Sequence, residues 1–424
     1  MSNPFYTMSI NKKYDLRILG LFVAICTLAC KKERPKLEVY SQSPFQVIEK
    51  PTNWKINGVR FDAKNSSKFW FWGQKKITDN SEGLLGLQLP SSSNNFSLFL
   101  NQESDLILHD IIVQDDQIII AGEIQINSNE FATKDAFVGV CRNDGNIIWW
   151  DTIQGNYYDQ FQSISIINDS LIALVGTTQT SYNGYKALSA CFGITGEKKW
   201  VKKVDGFSLV EKGIQINQLN EQELIITQSV SAGSGGTSYL SLKSLSLNDG
   251  TITNVNIDLI TQRTYQGYIQ SLFHRDYKEV WNTQTNVSPG GDIFVFGQKV
   301  VDGESTLFGV SLSQSGSLKW FKEYDFLYDM AYLNDVYFDD TNTLAVSYLV
   351  DDIVQNELLL IDQLGSPVKQ IELVELMTTD YCGVPLEVRP SYRGYSIIGD
   401  LKNLRSGTKD LFRLEINKNG EILQ

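Results

Sequence analysis

The sequence of 424 residues contains only two histidines, His109 and His274. They stand far apart and neither lies beside a nucleophile motif, so a histidine-rich metal site is excluded. No Gly-x-Ser-x-Gly elbow, phosphate-binding glycine loop or His-Glu-x-x-His motif is present. The signatures of common hydrolases, nucleotide-binding proteins and zinc peptidases are therefore missing. We interpret His109, within an inner-strand pattern, as a structural residue or one that lines a channel.

Cysteine is also scarce. Of five cysteines, Cys141, Cys191 and Cys382 follow residue 30. Three is an odd number, and no Cys-x-x-Cys spacing occurs, so neither a disulfide framework nor a zinc site is indicated. We predict buried free thiols and no metal site.

The N-terminus has the pattern of a secretory signal. Lys12, Lys13 and Arg17 precede an apolar run of twelve residues, 18–29, which Cys30 follows. Twelve helical residues span about 18 Å, too short for a bilayer core of about 30 Å. We therefore predict a signal peptide over residues 1–29 rather than a transmembrane anchor.

The four residues Thr27-Leu-Ala-Cys30 resemble the lipobox of bacterial lipoproteins, although leucine is usual where Thr27 stands. The resemblance implies that Cys30 is lipidated, for example with palmitate, and becomes the new N-terminus. We then expect a protein of the bacterial cell envelope, anchored in the outer membrane by lipid only. Residues 30–51 would form a tether, and residues 37–47 a possible latch strand.

The charge of the chain limits its partners. The formal net charge is -12, and loss of residues 1–29 would leave it near −14. An acidic body of this kind repels nucleic acid and disfavours polyanions in general. We expect no nucleic-acid partner.

A repeat marked by tryptophan runs through the chain. Three strand-like runs end in a turn glycine with a tryptophan four residues later, at Trp149, Trp200 and Trp320. The first two lie 51 residues apart and the last two 120, about two periods plus an insertion. A repeat near 50 residues made of strands and turns is typical of a β-propeller, in which these tryptophans would be structural.

Apolar runs that end in glycine give a second periodic mark, at Gly73, Gly122, Gly176, Gly297 and Gly399. Two long gaps each hold a similar run without the glycine, Leu224–Thr227 and Leu344–Ser347. This gives seven units, each with four short strands joined by turns rich in Asn, Asp and Gly.

These marks predict an all-β fold. We expect a β-propeller of seven four-stranded blades over residues 52–424, with six or eight blades as alternatives. The predicted blades are 52–103, 104–154, 155–206, 207–258, 259–324, 325–375 and 376–424. The last would end with a short outer strand, Glu421–Gln424.

The third unit carries a family resemblance. Four of the five fixed positions of the tryptophan-docking repeat in quinoprotein-type propellers are matched by Ala190, Thr195, Gly196 and Trp200. Phe192 stands where that repeat has aspartate. The chain thus resembles a bacterial lipoprotein with a PQQ-like repeat propeller. The resemblance implies the fold but no dehydrogenase, because the adjacent cysteines of such enzymes are absent, and we expect no cofactor.

An aspartate recurs before the predicted inner strands, at Asp105, Asp159 and Asp329. Three carboxylates on one rim could bind a cation or a sugar. A fixed repeat position more simply indicates that each closes its own turn by accepting backbone N–H bonds.

The segment 261–290 lengthens one unit and mixes aromatic with basic residues. Loop insertions on a repeat scaffold often map to a binding face, and the alternative is that the aromatic residues simply pack the longer hairpin. The candidate binding residues are Tyr265, Tyr268, His274, Arg275, Tyr277 and Trp281.

The sequence contains no catalytic constellation. We therefore expect a lipid-anchored envelope propeller that binds a protein or a glycan, or serves as a scaffold, without catalysis. The alternative is a glycan-active hydrolase or lyase with carboxylates at the propeller mouth, which needs two carboxyl groups about 5 to 9.5 Å apart.

Overall fold

The structure is a computed structural model. It describes residues 46–48, 54–62, 65–77, 80–88, 96–100, 105–125, 133–155, 157–181, 184–204, 210–231, 238–258, 283–301, 304–324, 331–338, 342–349, 355–373, 381–391, 394–403, 409–419 and 421–423. All of them lie in the compact unit Phe45–Gln424. Within these ranges the strands are joined by turns and no helix occurs, so the all-β prediction is confirmed. None of the described residues belongs to a helix that could cross a membrane.

Consecutive strands pair antiparallel in groups of four, which we number as sheets. Sheet 1 contains β2 (Trp54–Asp62), β3 (Asn65–Ile77), β4 (Asn80–Gln88) and β5 (Phe96–Leu100). Sheet 2 contains β6 (Asp105–Gln114), β7 (Gln117–Gln125), β8 (Asp135–Arg142) and β9 (Ile147–Ile153). Sheet 3 contains β10 (Asp159–Ile167), β11 (Leu171–Ser181), β12 (Gly184–Gly193) and β13 (Lys198–Val204). Sheet 4 contains β14 (Val210–Gln218), β15 (Glu223–Ser231), β16 (Ser238–Ser246) and β17 (Ile252–Asp258). One parallel bridge, Tyr185 with Val210, joins sheets 3 and 4.

The remaining strands follow the same order. Sheet 5 contains β18 (Gln284–Val287), β19 (Ile293–Val301), β20 (Glu304–Leu312) and β21 (Leu318–Tyr324). Sheet 6 contains β22 (Ala331–Phe338), β23 (Asn342–Leu349), β24 (Gln355–Asp362) and β25 (Pro367–Glu372). Sheet 7 contains β26 (Tyr381–Ser391), β27 (Gly394–Asn403), β28 (Lys409–Asn417) and, from the other end of the chain, β1 (Gln46–Ile48).

Two separate segments cover the outer edge of β28. The N-terminal strand β1 pairs antiparallel with Leu411–Arg413. Ile422 bridges Ile416, and the N–H of Leu423 donates to the carbonyl of Glu415 at 2.8 Å. The outer strand expected at Glu421–Gln424 therefore covers only the end of the edge, from Glu415 to Asn417. The rest is covered by β1, which overlaps the predicted latch segment at residues 46 and 47.

Hydrophobic clusters fill the spaces between consecutive sheets, because the strands bury apolar side chains on both faces. Trp70 and Trp72 of sheet 1 pack with Leu108 of sheet 2, and similar clusters occur at each later junction among the described residues. One more cluster joins the last sheet to the first, since Ile398 and Leu411 of sheet 7 pack with side chains of sheet 1. The last sheet therefore packs on the first.

Polar side chains also link the innermost strands of neighbouring sheets. Asp110 Oδ2 of sheet 2 accepts the N–H of Ile164 of sheet 3 at 2.9 Å. Glu387 Oε2 of sheet 7 accepts the N–H of Phe61 of sheet 1 at 2.8 Å. Both carboxylates directly follow a β-bulge and stand twelve residues before a strand-closing glycine, Gly122 or Gly399. This spacing is a sequence signal for the links between sheets.

The strand-closing glycines lie where two backbones meet. A Cβ added to Gly122 would lie 1.9 Å from the carbonyl oxygen of Ile107, and one added to Gly176 equally close to that of Gln160. The bulge in the inner strand brings its backbone this near, so any side chain would collide. In sheet 4 the register places Gln228, rather than the expected Thr227, at this position, opposite Gly213.

Candidate functional site

Several predicted site residues fall outside the described part of the chain. They are Cys30, Asp329 and the insertion residues Tyr265, Tyr268, His274, Arg275, Tyr277 and Trp281. Their assignments remain predictions. Strand β17, which precedes the insertion, ends at the edge of the sheets where β10 starts. Strand β18, which follows the insertion, begins at that same edge.

The two described repeat aspartates are the first residues of their inner strands. Asp159, at the start of β10, accepts hydrogen bonds from the backbone of Gly155 and from the Thr178 hydroxyl. Burial outweighs these bonds and raises the pKa of Asp159. Asp159 therefore closes the turn before its strand. Asp105, at the start of β6, is half-buried.

The three tryptophans each lie on the turn of the following sheet. Trp149 Nε1 donates to the carbonyl of Ile194 at 2.8 Å, and Trp320 Nε1 donates to that of Gln363 at 2.8 Å. Trp200 makes the same contact with Leu247. The turn glycines below them have positive φ angles and lack room for a side chain. Each of these rings therefore packs on the turn of the neighbouring sheet.

A polar cluster that the sequence did not predict surrounds Glu123, near the end of β7. Lys134 Nζ donates to Glu123 Oε1 at 2.5 Å, and the Tyr158 hydroxyl donates to Oε2. His109 Nε2, from the bulge of β6, lies 3.4 Å from the same Oε2 atom. Gln160 Oε1 lies 2.8 Å from the Tyr158 hydroxyl. Four strands or strand ends of sheets 2 and 3 thus bring unlike groups together around one buried carboxylate.

The electrostatics of the cluster keep Glu123 ionised. Burial acts to raise its pKa, but His109 and then Lys134 more than offset this and lower it to about 2. Burial, together with the charge of Glu123, raises the pKa of Tyr158 above its usual value. Glu123 is therefore a fixed anion that holds Lys134 and Tyr158 in place.

The Glu123 cluster does not recur at the next junction. The register aligns Gly122 with Gly176, so Thr177 takes the position of Glu123. The parallel bridge of Lys134 with Tyr158 corresponds to that of Tyr185 with Val210. Sheets 3 and 4 therefore pack without an equivalent of the Glu123 cluster.

The same junctions differ in a second set of charges. The carboxylates of Asp135 and Asp159 repel each other between sheets 2 and 3. Burial, and after it this repulsion, raises the pKa of Asp135. The aligned positions between sheets 3 and 4 hold an ion pair, with Lys186 Nζ 3.4 Å from Glu211 Oε2. No group of three or more His, Cys, Asp or Glu residues suited to a metal ion occurs in the part of the chain that the structure describes.

His109 and Glu123 could have been found from the sequence only as departures from the repeat. Each occupies a position that the repeat aligns with an uncharged residue in sheet 3, Gln162 and Thr177. Lys134 and Tyr158 lie in the connections before β8 and β10. Their equivalents in the next unit can be identified only from the register of the folded strands.

Comparisons with known proteins bear on the fold only. No protein-family model matches the chain, and no curated protein matches it in sequence. The polysaccharide lyase Uly1 has a similar structure, with a TM-score of 0.51 at 8% identity over 91% of this chain and 94% of that one. A prolyl endopeptidase structure gives a TM-score of 0.50 at 11% identity over 88% of this chain. The chain spans about half of that endopeptidase, 48%.

The β-propeller domain of the Trilobed protease from Pyrococcus furiosus is also similar, with a TM-score of 0.48 at 11% identity over 89% of this chain and 96% of that one. The TM-scores of 0.51 and 0.50 indicate a similar fold for the lyase and the endopeptidase, and identities of 8% and 11% assign no activity to this chain.

Proposed function

We propose that Phe45–Gln424 forms a closed β-propeller of seven four-stranded blades. The packing of sheet 7 on sheet 1 supports closure, as does the bond from the Phe61 N–H to Glu387. Strand β1 supports it further, because it carries the start of the described chain into the last sheet. In a closed propeller every sheet buries both faces, which removes exposed sheet faces.

The propeller acts, in this proposal, as a non-catalytic binding or scaffold protein for a protein or glycan, held at the bacterial cell envelope by lipid on Cys30. The observation that carries the binding function is the Glu123 cluster, which has no equivalent between sheets 3 and 4. One buried anion holds Lys134, with 27% of its side chain exposed, and half-buried Tyr158 at the edge where β8 and β10 begin. Pre-positioned polar groups of this kind favour recognition because little side-chain entropy is lost on binding.

The acid–base properties of the cluster argue against catalysis. A general base works best with a pKa near the ambient pH. The pKa of Glu123 is about 2, and that of Tyr158 is raised. Neither side chain is poised to take a proton from a substrate at neutral pH.

The competing function, a carboxylate-dependent glycan enzyme, has one observation in its favour. Asp135 and Asp159 are neighbouring carboxyl groups whose pKa values are both raised. Asp159 is only 1% exposed and is engaged by Gly155 and Thr178, so it does not present its carboxyl group to a substrate.

The binding function is tested by screening the full chain against glycan and envelope-protein panels, then repeating each positive interaction with Tyr158→Phe and Lys134→Met variants. Both should weaken binding, whereas Lys322→Met, an exposed lysine on β21, should not. Binding that ignores both substitutions would reject this site. Turnover of a bound polymer that is lost in an Asp135→Asn variant would establish the enzyme instead.

The anchor is tested separately by labelled palmitate. Incorporation should be lost in Cys30→Ala and kept in a Cys26→Ala control, because Cys26 lies within the predicted signal peptide. Label that persists in Cys30→Ala would contradict lipidation at Cys30.

A further inference from the structure

The innermost strands of neighbouring sheets are joined by one recurring contact. In sheets 2, 3, 4, 6 and 7, the residue directly after the β-bulge accepts a backbone N–H from the inner strand of the next sheet, with sheet 1 next after sheet 7. These inter-sheet bonds have donor–acceptor distances between 2.6 and 3.4 Å. The acceptors are Asp110, Ser163, Gln215, Asp335 and Glu387, and their donors are, in the same order, Ile164, Ile216, Thr285, Val388 and Phe61.

The inter-sheet bond of Glu387 lies where the last sheet meets the first. Its Oε2 atom accepts the Phe61 N–H at 2.8 Å, beside the apolar cluster that packs sheet 7 on sheet 1. Glu387 is only 3% exposed. The equivalent residue between sheets 4 and 5 is Gln215, whose amide oxygen accepts the Thr285 N–H at 2.6 Å. A neutral acceptor therefore suffices between sheets 4 and 5, whereas the junction of sheets 7 and 1 has one that can gain or lose a proton.

The arginine nearest to Glu387 is shared with a second carboxyl group. Arg389, on the same strand, has its Nη2 atom 2.6 Å from Glu387 Oε1 and also interacts with Asp335 of sheet 6. Its guanidinium carbon lies 4.8 Å from the centre of the Tyr337 ring, also in sheet 6. Arg389 therefore serves two carboxyl groups from one position.

Arg60 of sheet 1 also acts on Glu387, but its charge is already paired in sheet 2. Its Nη2 atom lies 3.0 Å from Asp110 Oδ1, and its Nη1 atom donates to the carbonyl of Ile111. Burial raises the pKa of Asp110, but the N–H groups of Ile111 and Ile164 and the guanidinium of Arg60 bind its two oxygens and stabilise the anion. Arg389 is therefore the main cation available to Glu387.

The charge balance of this junction depends on the proton of Glu387. With Glu387 ionised, Arg389 has to balance two carboxylates, whereas with Glu387 protonated it faces Asp335 alone. Burial also disfavours the anion, and together with Asp335 it raises the pKa of Glu387 to about 7 against the attraction of Arg389. Separation of the two sheets would hydrate the carboxylate, so the ionised form favours an open junction.

We propose that the junction of sheets 7 and 1 is a pH-dependent latch, closed while Glu387 keeps its proton and locally open after the proton is lost. This inference rests on the closed ring proposed above and adds a condition under which the ring opens. Closure is strongest below pH 4.5 and weakens as the pH rises through 7. The chain passes directly from β1 in sheet 7 to β2 in sheet 1, so the opened sheets stay tethered and can close again.

The test is hydrogen exchange of the full chain between pH 6 and 8.5, measured by mass spectrometry on peptides that cover β2 and β18. Exchange of the Phe61 and Thr285 N–H groups is compared after division by their intrinsic rates. With a pKa of about 7 in the closed form and 4.5 in the open form, opening at Phe61 should increase about tenfold over this range. The Thr285 N–H, bonded to the amide of Gln215, is the internal control and should show no such increase.

Variants identify the group that titrates. Glu387→Gln keeps an acceptor for the Phe61 N–H and should remove the increase. Asp335→Asn keeps an acceptor for the Val388 N–H but removes the repulsion of Glu387, so the increase over this range should become smaller. Asp292→Asn removes a half-buried carboxylate just before β19, in sheet 5, and should leave the increase unchanged.

The outcomes separate failure of the latch from failure of the closed ring. A Phe61 N–H that is equally protected at pH 6 and 8.5 would reject the latch and keep the ring, whereas one that exchanges freely at both would contradict the ring as well. An increase that persists in Glu387→Gln would assign the titration to another group. Equal increases at Phe61 and Thr285 would show global unfolding in place of local opening, and both of these results overturn the inference.

Discussion

The indole Nε1 of Trp200, on the outer strand of sheet 3, donates a hydrogen bond of 2.8 Å to the carbonyl of Leu247 in sheet 4. A Cβ added to Gly250 would lie 2.7 Å from the same ring, so ring and turn are in close contact. Each junction of this kind combines a directional bond with apolar burial.

Replacement of Trp200 should therefore separate the two contributions. Trp200→Phe keeps most of the ring contact but leaves the Leu247 carbonyl without its donor, and should lower the free energy of unfolding by about 1–3 kcal/mol. Trp200→Ala also removes the buried ring and should cost about 3–5 kcal/mol. Denaturant titration measures both values. Trp150→Phe serves as the control, because Trp150 is 51% exposed and its loss should cost less than about 0.5 kcal/mol.

Gly176 tests whether the close contact between the backbones of β10 and β11 excludes a side chain. Gly176→Ala forces a methyl group against the Gln160 carbonyl, 1.9 Å away, and should lower the free energy of unfolding by at least about 2 kcal/mol. The matched control is Gly193→Ala, whose added Cβ would have its nearest neighbour at 3.6 Å. Equal thermal midpoints for the two variants would contradict this prediction, because they would show that β10 and β11 can move apart to accept the methyl group without strain.

Glu123 should make stability fall in acid. Its pKa is lowered from 4.5 to about 2 in the folded protein, so its stabilisation is present above pH 4.5 and is lost as the pH falls towards 2. The loss should be on the order of 3 kcal/mol, from the free energy equivalent of a pKa shift. Glu123→Gln should be less stable at neutral pH and should lose this dependence. The test is to measure the free energy of unfolding of both proteins from pH 2 to 7. Parallel curves of stability against pH for the two proteins would contradict the prediction.

Glu387 should act in the opposite direction. Burial, only partly offset by Arg389, raises its pKa from 4.5 to about 7, and the nearby Asp335 adds to the shift. The protonated form is favoured in the folded protein, so stability present below pH 4.5 is lost as the pH rises through 7. Glu387→Gln keeps an acceptor for the Phe61 N–H and should be more stable than the wild type at pH 8. A wild-type stability that rises between pH 5 and 8 with the same slope as the variant would refute this.

Units that lack tryptophan keep the junction by other means. Lys369 stands four residues after the turn glycine Gly365, where other units have tryptophan, and its Nζ donates to the Lys418 carbonyl at 2.9 Å. In sheet 4 the side chain of Ile257 lies against Gly316, since a Cβ added there would be 2.5 Å from it. The sequence predicted the contact only where tryptophan marks it, because lysine and isoleucine have many other uses.

The all-β class and the approximate period could be read from the sequence, since both are local. Turn glycines such as Gly196, with φ near 95°, and alternating apolar runs depend on residues close in the chain. The candidate site could not be read in this way. Glu123 and Tyr158 are 35 residues apart, and only the packing of sheet 3 on sheet 2 brings their side chains together.

The sequence by itself determined where strands begin, turn and end, because those choices depend on side-chain size, backbone freedom and hydrogen bonding within a few residues. Only the tertiary structure decided which polar groups meet between sheets, and that β1 and residues 421–423 share one edge. Such contacts depend on the register and facing of strands distant in the chain. One side chain there, that of Glu387, links residues 326 positions apart, a separation that no local pattern encodes.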